Sequence, residues 1–354
     1  MSPPSILVAD SQGMDLNTQW MVGILLLLLL GSSLVGRLIS GQAEGTVNVP
    51  LVRTFRHRVR TWWMMMSILV ASYILGNIGA VVLFFLVSFW ALREFITMTP
   101  TRGGDHRTLF WVFFAFAPLQ YVLVGMNQYE LFSIVIPVYA SLFIPARIAI
   151  SGDKKRFLER SAKIQLGLLI CVYSLSYTPA ILQLELTANH DDTVWGAEKP
   201  EAETSEDTPE EPTGGAGKPF GLLAFFVLIT QAGDVLQYGW GKLVGRRIIA
   251  PQINANRSWE GLIGGVCSTS LLGSLLWWVT PFEIWEAALM SMIIAIMGFA
   301  GGMTMSAIKR DRGVQDYGTL VQGHLGVLDR IDSLCFAAPV FYHLTKLFFS
   351  VHGS

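Results

Sequence analysis

The chain has 354 residues, of which 52% are hydrophobic and only 14% charged, with a mean hydropathy of +0.48. Soluble domains carry about 25% charged residues, and the apolar residues here form blocks too long to bury on one face. A soluble enzyme, a collagen-like fibre and a disordered chain are therefore excluded, and the formal net charge of −1 argues against a nucleic-acid partner.

Residues 1–19 contain no basic residue and lead into an apolar stretch without a clear small-residue cleavage site, so they read as an extracytoplasmic tail rather than a removed signal peptide. A helix needs about 20 mostly apolar residues to cross the hydrocarbon core of a bilayer. Segments of that kind lie at 20–37, 61–76, 78–96, 108–126, 128–148, 162–184, 219–239, 259–280, 284–305 and 333–350. The stretch Thr61 to Ile96 is too long for one span, and Gly76-Asn77-Gly79 offers a turn near its middle; Gly125-Met126-Asn127 splits 108–148 in the same way. The expected fold is an all-α, polytopic integral membrane protein with about ten transmembrane helices.

Loop charges orient these spans. Basic residues gather at 37–60 (Arg37, Arg53, Arg56, Arg58, Arg60), 148–163 (Lys154, Lys155, Arg156, Arg160, Lys163), 240–258 (Lys242, Arg246, Arg247, Arg257) and 306–332 (Lys309, Arg310, Arg312, Arg330). With those loops in the cytoplasm and both termini outside, ten spans satisfy every loop. The alternate segment 185–218 is strongly acidic and rich in Pro, Thr and Gly, as a solvated extracytoplasmic linker would be. The chain thus divides into N-terminal helices (20–184), the acidic loop (185–218) and a C-terminal region (219–350) in which the candidates for chemistry concentrate. The three cysteines, Cys171, Cys267 and Cys335, lie far apart in apolar blocks without disulfide or metal-ligand spacing.

Two basic loops of the C-terminal region hold those candidates. The first follows Asp234, a carboxylate at the end of an apolar helix, which is costly there unless paired or bound to a cation. It carries Gly241-Lys242, Gly245-Arg246, Asn256, Ser258 and Glu260, although Ser258 and Glu260 also fit a plain helix start. In the second loop, Lys309 and Arg310 end a helix, Asp316 and His324 follow, and Asp329 and Asp332 share a face at the start of the next helix. Gly318, Gly323 and Gly326 permit close approach of backbone to a ligand. Paired carboxylates beside basic residues suit a magnesium-dependent phosphoryl or nucleotidyl transfer: carboxylates hold hard cations, and Lys and Arg stabilise charge on phosphates. A solvated, charge-rich loop is the competing interpretation on composition alone.

The order of residues resembles the C-terminal signature of the phosphatidate cytidylyltransferase (CDP-diacylglycerol synthase) family, Ser-x-x-Lys-Arg, then Lys-Asp-x-Gly, then His-Gly-Gly-x-x-Asp-Arg-x-Asp. Ser306, Lys309, Arg310, Asp316, Gly318, His324, Gly326, Asp329, Arg330 and Asp332 fall on it without a gap. Asp234 with Tyr238, the two Gly-basic pairs, Pro251 and Trp259-Glu260-Gly261 are similar to the family's preceding loop, and Arg93-Glu94-Phe95 to the end of an earlier span. Gln315, Gln322 and Leu325 depart from the signature, as a divergent paralogue would.

The resemblance implies transfer of a cytidylyl group from CTP to phosphatidate at the cytoplasmic face of a bacterial inner membrane. It implies Asp234, Asp316, Asp329 and Asp332 as ligands of one or two Mg2+ ions, with Mn2+ as an alternative. Lys309, Arg310 and Arg330 would hold phosphates, and His324 would bond a phosphate or orient a carboxylate. Lys242, Arg246, Asn256, Ser258 and Glu260 would line the substrate site, and a homodimer is compatible with the fold. A CTP-dependent kinase or transferase acting on another lipid, and a transporter or scaffold using Asp234 and Glu94 in an ion pathway, are the alternatives.

Overall fold

The computed structural model of the protein describes most of residues 19–34, and residues 49–98, 102–186, 218–313 and 326–349. The described residues are almost entirely helical. Helix α1 lies within 19–34; α2 is Val49–Met98, α3 Gly103–Gly125, α4 Tyr129–Ile150, α5 Phe157–Gln183 and α6 Lys218–Leu243. A two-stranded ribbon, β1 (Ile248–Ala250) and β2 (Asn254–Ser258), precedes α7 (Trp259–Leu275), α8 (Ile284–Asp311) and α9 (Leu328–Phe349). Six of the described helices are long and apolar enough to cross a membrane, and the protein is an all-α polytopic membrane protein. Helices α7 and α9 cover two further segments expected to span.

The expected turn at Gly76 is present. Gly76 takes φ 66° and ψ −169°, which only glycine adopts freely. A Cβ on Gly79 would fall 2.0 Å from Leu75 Cβ, so the chain turns sharply and α2 becomes two arms. On the second arm Ile78, Val82 and Leu86 are exposed at i, i+4 spacing while Val81, Phe84, Leu92 and Phe95 are buried. That pattern puts apolar side chains on both faces, one against protein and one toward lipid. The second expected turn falls at Met126-Asn127-Gln128 between α3 and α4, with Asn127 at φ 54°.

The centre of the molecule is α6. Every residue from Leu222 to Ile229 is buried, and Phe226 stacks on Phe341 of α9 with ring centroids 5.0 Å apart. Apolar burial contributes no driving force between helices in lipid, so close backbone approach must supply the contact. Glycines provide it: a Cβ on Gly261 of α7 would lie 2.8 Å from the Gln237 carbonyl oxygen, and one on Gly265 would lie 2.6 Å from Gln237 Cα. This Gly-x-x-x-Gly step seats α7 directly on α6. At the other end of α7, a Cβ on Gly273 would meet Ser291 Oγ of α8 at 1.8 Å.

Three details differ from the sequence-based expectation. Helix α8 continues past the expected span end at 305 to Asp311, with Lys309 and Arg310 ending it as expected, where basic side chains offset the negative end of the helix dipole. Helix α7 stops at Leu275, and a 3-10 turn at Trp277–Val279 closes the hairpin. The region 240–258, read as loop, contains the ribbon, with Ile248 opposite Ser258 and Ala250 opposite Asn254. The tail 1–18 and residues 187–217 of the acidic loop lie outside the described residues.

Gly265→Ala should destabilise the protein by about 1–3 kcal/mol, because its Cβ would meet the Gln237 backbone, Cα at 2.6 Å and N at 2.8 Å, as well as the Gln237 side chain. Thermal unfolding in detergent checks this; an unchanged Tm would contradict the close seating of α7 on α6.

Candidate active site

At the end of the bundle that carries the ribbon, four elements converge. Asp234 and Gln237 lie one turn apart on α6, Arg257 projects from β2, Lys309 and Arg310 end α8, and Asp329, Asp332 and Ser333 open α9. Arg257 joins the first two: its Nη2 donates to Asp234 Oδ1 at 3.1 Å and its Nη1 to Gln237 Oε1 at 2.7 Å. The Gln237 amide nitrogen in turn donates to the Ala295 carbonyl of α8 at 2.9 Å. Both ends of this buried amide are thereby used, which fixes its orientation. Gly302 makes room for the arginine, since a Cβ there would stand 3.0 Å from Arg257 Nη2.

The opposite side of Asp234 meets α9. The Ser333 hydroxyl donates to Asp234 Oδ2 and also lies 3.3 Å from Asp332 Oδ1, which accepts the Ser333 N–H at 2.8 Å. One hydroxyl has one proton, so it cannot satisfy two carboxylates at once. Asp332 lies within electrostatic reach of both Asp234 and Asp329. Asp329 pairs with Lys309, Nζ to Oδ1 at 2.7 Å. Among the described residues of this group three carboxylates face two cations, and the half-buried position makes the excess negative charge expensive.

The ribbon is fastened to α8 beside these groups. Asn254 Nδ2 donates to Ser306 Oγ at 3.0 Å, and Arg310 Nε to the Ile253 carbonyl at 3.2 Å. Ser258 caps the start of α7 as its position also allowed, whereas Glu260, in the first turn, reaches back to the segment before β1. Ser258 Oγ accepts the Gly261 N–H at 3.1 Å, and the Glu260 carboxylate accepts the N–H groups of Arg246 and Arg247, each at 3.1 Å to Oε2. Lys242, Arg246 and Asn256 are exposed, with the Lys242 ammonium 5.8 Å from the Tyr238 ring centre. Arg330 is buried and its carbonyl accepts from Gln231 Nε2 at 3.3 Å. Asp316 and His324, with Gln315, Gln322 and Leu325, lie outside the described residues.

Residues 56–348 match the cytidylyltransferase family. The chain belongs to that family. It is 36% identical to the uncharacterized protein YnbB of Escherichia coli K12 over 295 residues, covering 82% of this chain and 86% of that one. It is 37% identical to a phosphatidate cytidylyltransferase of Synechocystis over 137 residues (38% of this chain, 46% of the relative) and 36% identical to one of Mycobacterium leprae over 140 residues (38% and 43%). The chain thus matches less than half the length of either of these two named enzymes.

Cytidylyltransferase membership gives the cluster a chemical test. Among the described residues no three His, Cys, Asp or Glu side chains are grouped so as to hold a metal ion by themselves. A hard divalent cation at the carboxylates would therefore need further oxygen donors, and magnesium sites in nucleotide enzymes do draw these from substrate phosphates and water. The donor set, carboxylate oxygens with an excess of negative charge, fits such an ion. Sequence reasoning passed over Arg257, Gln237 and Ser333 as site residues. Arg257 carried one available signal, a lone basic residue directly before the Ser-Trp-Glu-Gly step.

In a double-mutant cycle, Asp234→Asn and Arg257→Gln should couple by about 0.5–3 kcal/mol in unfolding free energy. Additive effects of the two substitutions would mean that the contact is not formed.

Proposed function

We propose that this protein transfers the cytidylyl group of CTP to phosphatidate, giving CDP-diacylglycerol and pyrophosphate, at the cytoplasmic face of a bacterial inner membrane. The observation that carries this reading is the meeting of Asp234, Asp332 and Asp329 with Arg257 and Lys309 at one end of the helices, in a chain of the cytidylyltransferase family. That end bears the basic loops, so CTP would arrive from the cytosol while the acyl chains of the lipid stay in the bilayer.

In this reading a phosphate oxygen of phosphatidate attacks the α-phosphorus of CTP in line. The new phosphoanhydride bond forms as the bond from the α-phosphorus to the bridging oxygen breaks, and pyrophosphate leaves with that electron pair. The second pKa of a phosphate monoester is near 6, so the nucleophile is already largely anionic at neutral pH and needs no strong base. Rate then comes from positioning and charge neutralisation. Lys309 and Arg310, on the last turn of α8, would bind phosphate oxygens, Lys309 exchanging Asp329 for the triphosphate. Asp234, Asp332, Asp329 and Asp316 would supply carboxylate oxygens to one or two magnesium ions, with triphosphate oxygens and water as the further donors, and the bound ions would offset triphosphate charge. Arg257, held by Gln237, would keep Asp234 aligned when the ion is absent. His324 would bond a phosphate oxygen or orient a carboxylate, and Arg330 would hold a phosphate.

A different lipid phosphate as acceptor is the second reading. It rests on the departures Gln315, Gln322 and Leu325 from the signature and on the two named phosphatidate enzymes matching only 38% of the chain.

Purified protein supplied with labelled CTP, magnesium and a panel of lipid phosphates should move label into CDP-diacylglycerol only with phosphatidate, and Asp332→Asn should lower turnover by on the order of 100-fold or more. Label in another lipid would transfer the reading to that acceptor, and no label in any lipid with wild-type protein would overturn it.

A further inference from the structure

We propose that Glu94, on the second arm of α2, is a positioning residue that sets the first turn of α9 and thereby Asp329 and Asp332. Glu94 is only 8% exposed, at the end of a helix from the other half of the chain. Its Oε1 accepts the Val327 N–H at 3.0 Å and its Oε2 the Leu328 N–H at 2.9 Å, across more than 230 residues of sequence. Among the described residues no basic side chain forms an ion pair with it; the neighbouring Arg93 guanidinium instead lies 5.3 Å from the Trp90 ring centre. A buried carboxylate without a cation is unfavourable unless donors compensate it. Here the compensation comes from two amide donors at the positive end of the α9 dipole.

The identity of the helix gives this contact its consequence. Asp329 is the second residue of α9 and Asp332 the fifth, so both lie within or just beyond the turn that Glu94 holds. The first N–H groups of a helix have no partner inside it, and an uncapped first turn frays. Fraying here would separate Asp329 from Lys309 and let Asp332 and Ser333 drift from Asp234. Helix α9 carries no Ser, Thr, Asp or Asn immediately before Leu328: the preceding residues are Gly326 and Val327. The cap comes from a distant helix instead, and couples the N-terminal helices to the carboxylates.

This assignment rests on the reading of Asp332 as a cation-holding carboxylate, and the experiment separates the two. Hydrogen exchange of the peptide covering 326–334 and Mn2+ binding with CTP present, read by electron paramagnetic resonance, are compared for wild type, Glu94→Gln and Asp332→Asn. Glutamine keeps the shape but replaces one acceptor oxygen by an NH2 group, which cannot receive the second amide. Glu94→Gln should speed exchange at the start of α9 about fivefold or more and weaken Mn2+ binding about tenfold, while Asp332→Asn weakens Mn2+ without speeding exchange. Gln120→Ala, which removes a buried hydrogen bond to the carbonyl of Phe132, a residue that meets α9 at Tyr342, about four turns from its start, is a destabilised control whose Mn2+ affinity should not change.

Faster exchange with unchanged Mn2+ affinity would reduce Glu94 to a structural cap and overturn the positioning role, as would unchanged exchange. If Asp332→Asn leaves Mn2+ binding intact, or wild type does not bind it, the reading of the carboxylates fails and this assignment falls with it. Should Glu94→Gln not fold, Glu94→Asp, too short to reach both amides, is expected to give the same pair of changes.

Discussion

One Ser333 proton stands between the carboxylates of Asp234 and Asp332, and much of the surrounding structure answers the charge problem this creates. Carboxylates that are half-buried at a helix end hold their charge only where donors or cations surround them. Arg257 supplies one cation, and it reaches Asp234 because Gln237 orients it and Gly302 has no side chain in its path. Gln237 in turn holds its place because α7 presses on α6 through glycines and because the Ala295 carbonyl takes its amide. The seating of three membrane helices and the alignment of one carboxylate are therefore parts of one network.

The remaining negative charge is what the proposed chemistry would use. Lys309 balances Asp329, and among the described residues Asp332 has the Ser333 N–H and hydroxyl as hydrogen-bond partners. In the proposed reaction a nucleoside triphosphate and a lipid phosphate would bring strongly anionic groups to this end of the helices. Carboxylates would repel those groups unless a cation came with them, so in the proposed reaction the nucleotide and the metal complete each other's environment.

Long apolar blocks and the turns at Gly76 and Asn127 were legible in the sequence because hydrocarbon thickness fixes helix length and positive φ restricts residue choice. Asp234, Lys309, Asp329 and Asp332 were legible because charge at the end of an apolar block is conspicuous. The ribbon was not: a three-residue Ile-Ile-Ala strand and a five-residue Asn-Ala-Asn-Arg-Ser strand have no alternation strong enough to stand out. Gln237 and Ser333 were hidden for a related reason. Neutral polar residues inside apolar helices commonly bond their own backbone, and only tertiary geometry shows that these two reach across helices. The cap on α9 could not be found locally, since its carboxylate stands more than 230 residues away.

The most direct measurement is the linkage between CTP and divalent cation at equilibrium, by isothermal titration of CTP into the purified protein with and without Mg2+. If the carboxylates and the triphosphate hold the ion together, Mg2+ should raise CTP affinity about 10-fold or more, CTP should raise Mg2+ affinity by the same factor, and Asp332→Asn should abolish the coupling. Equal CTP affinity with and without Mg2+ would contradict a shared cation at Asp234 and Asp332.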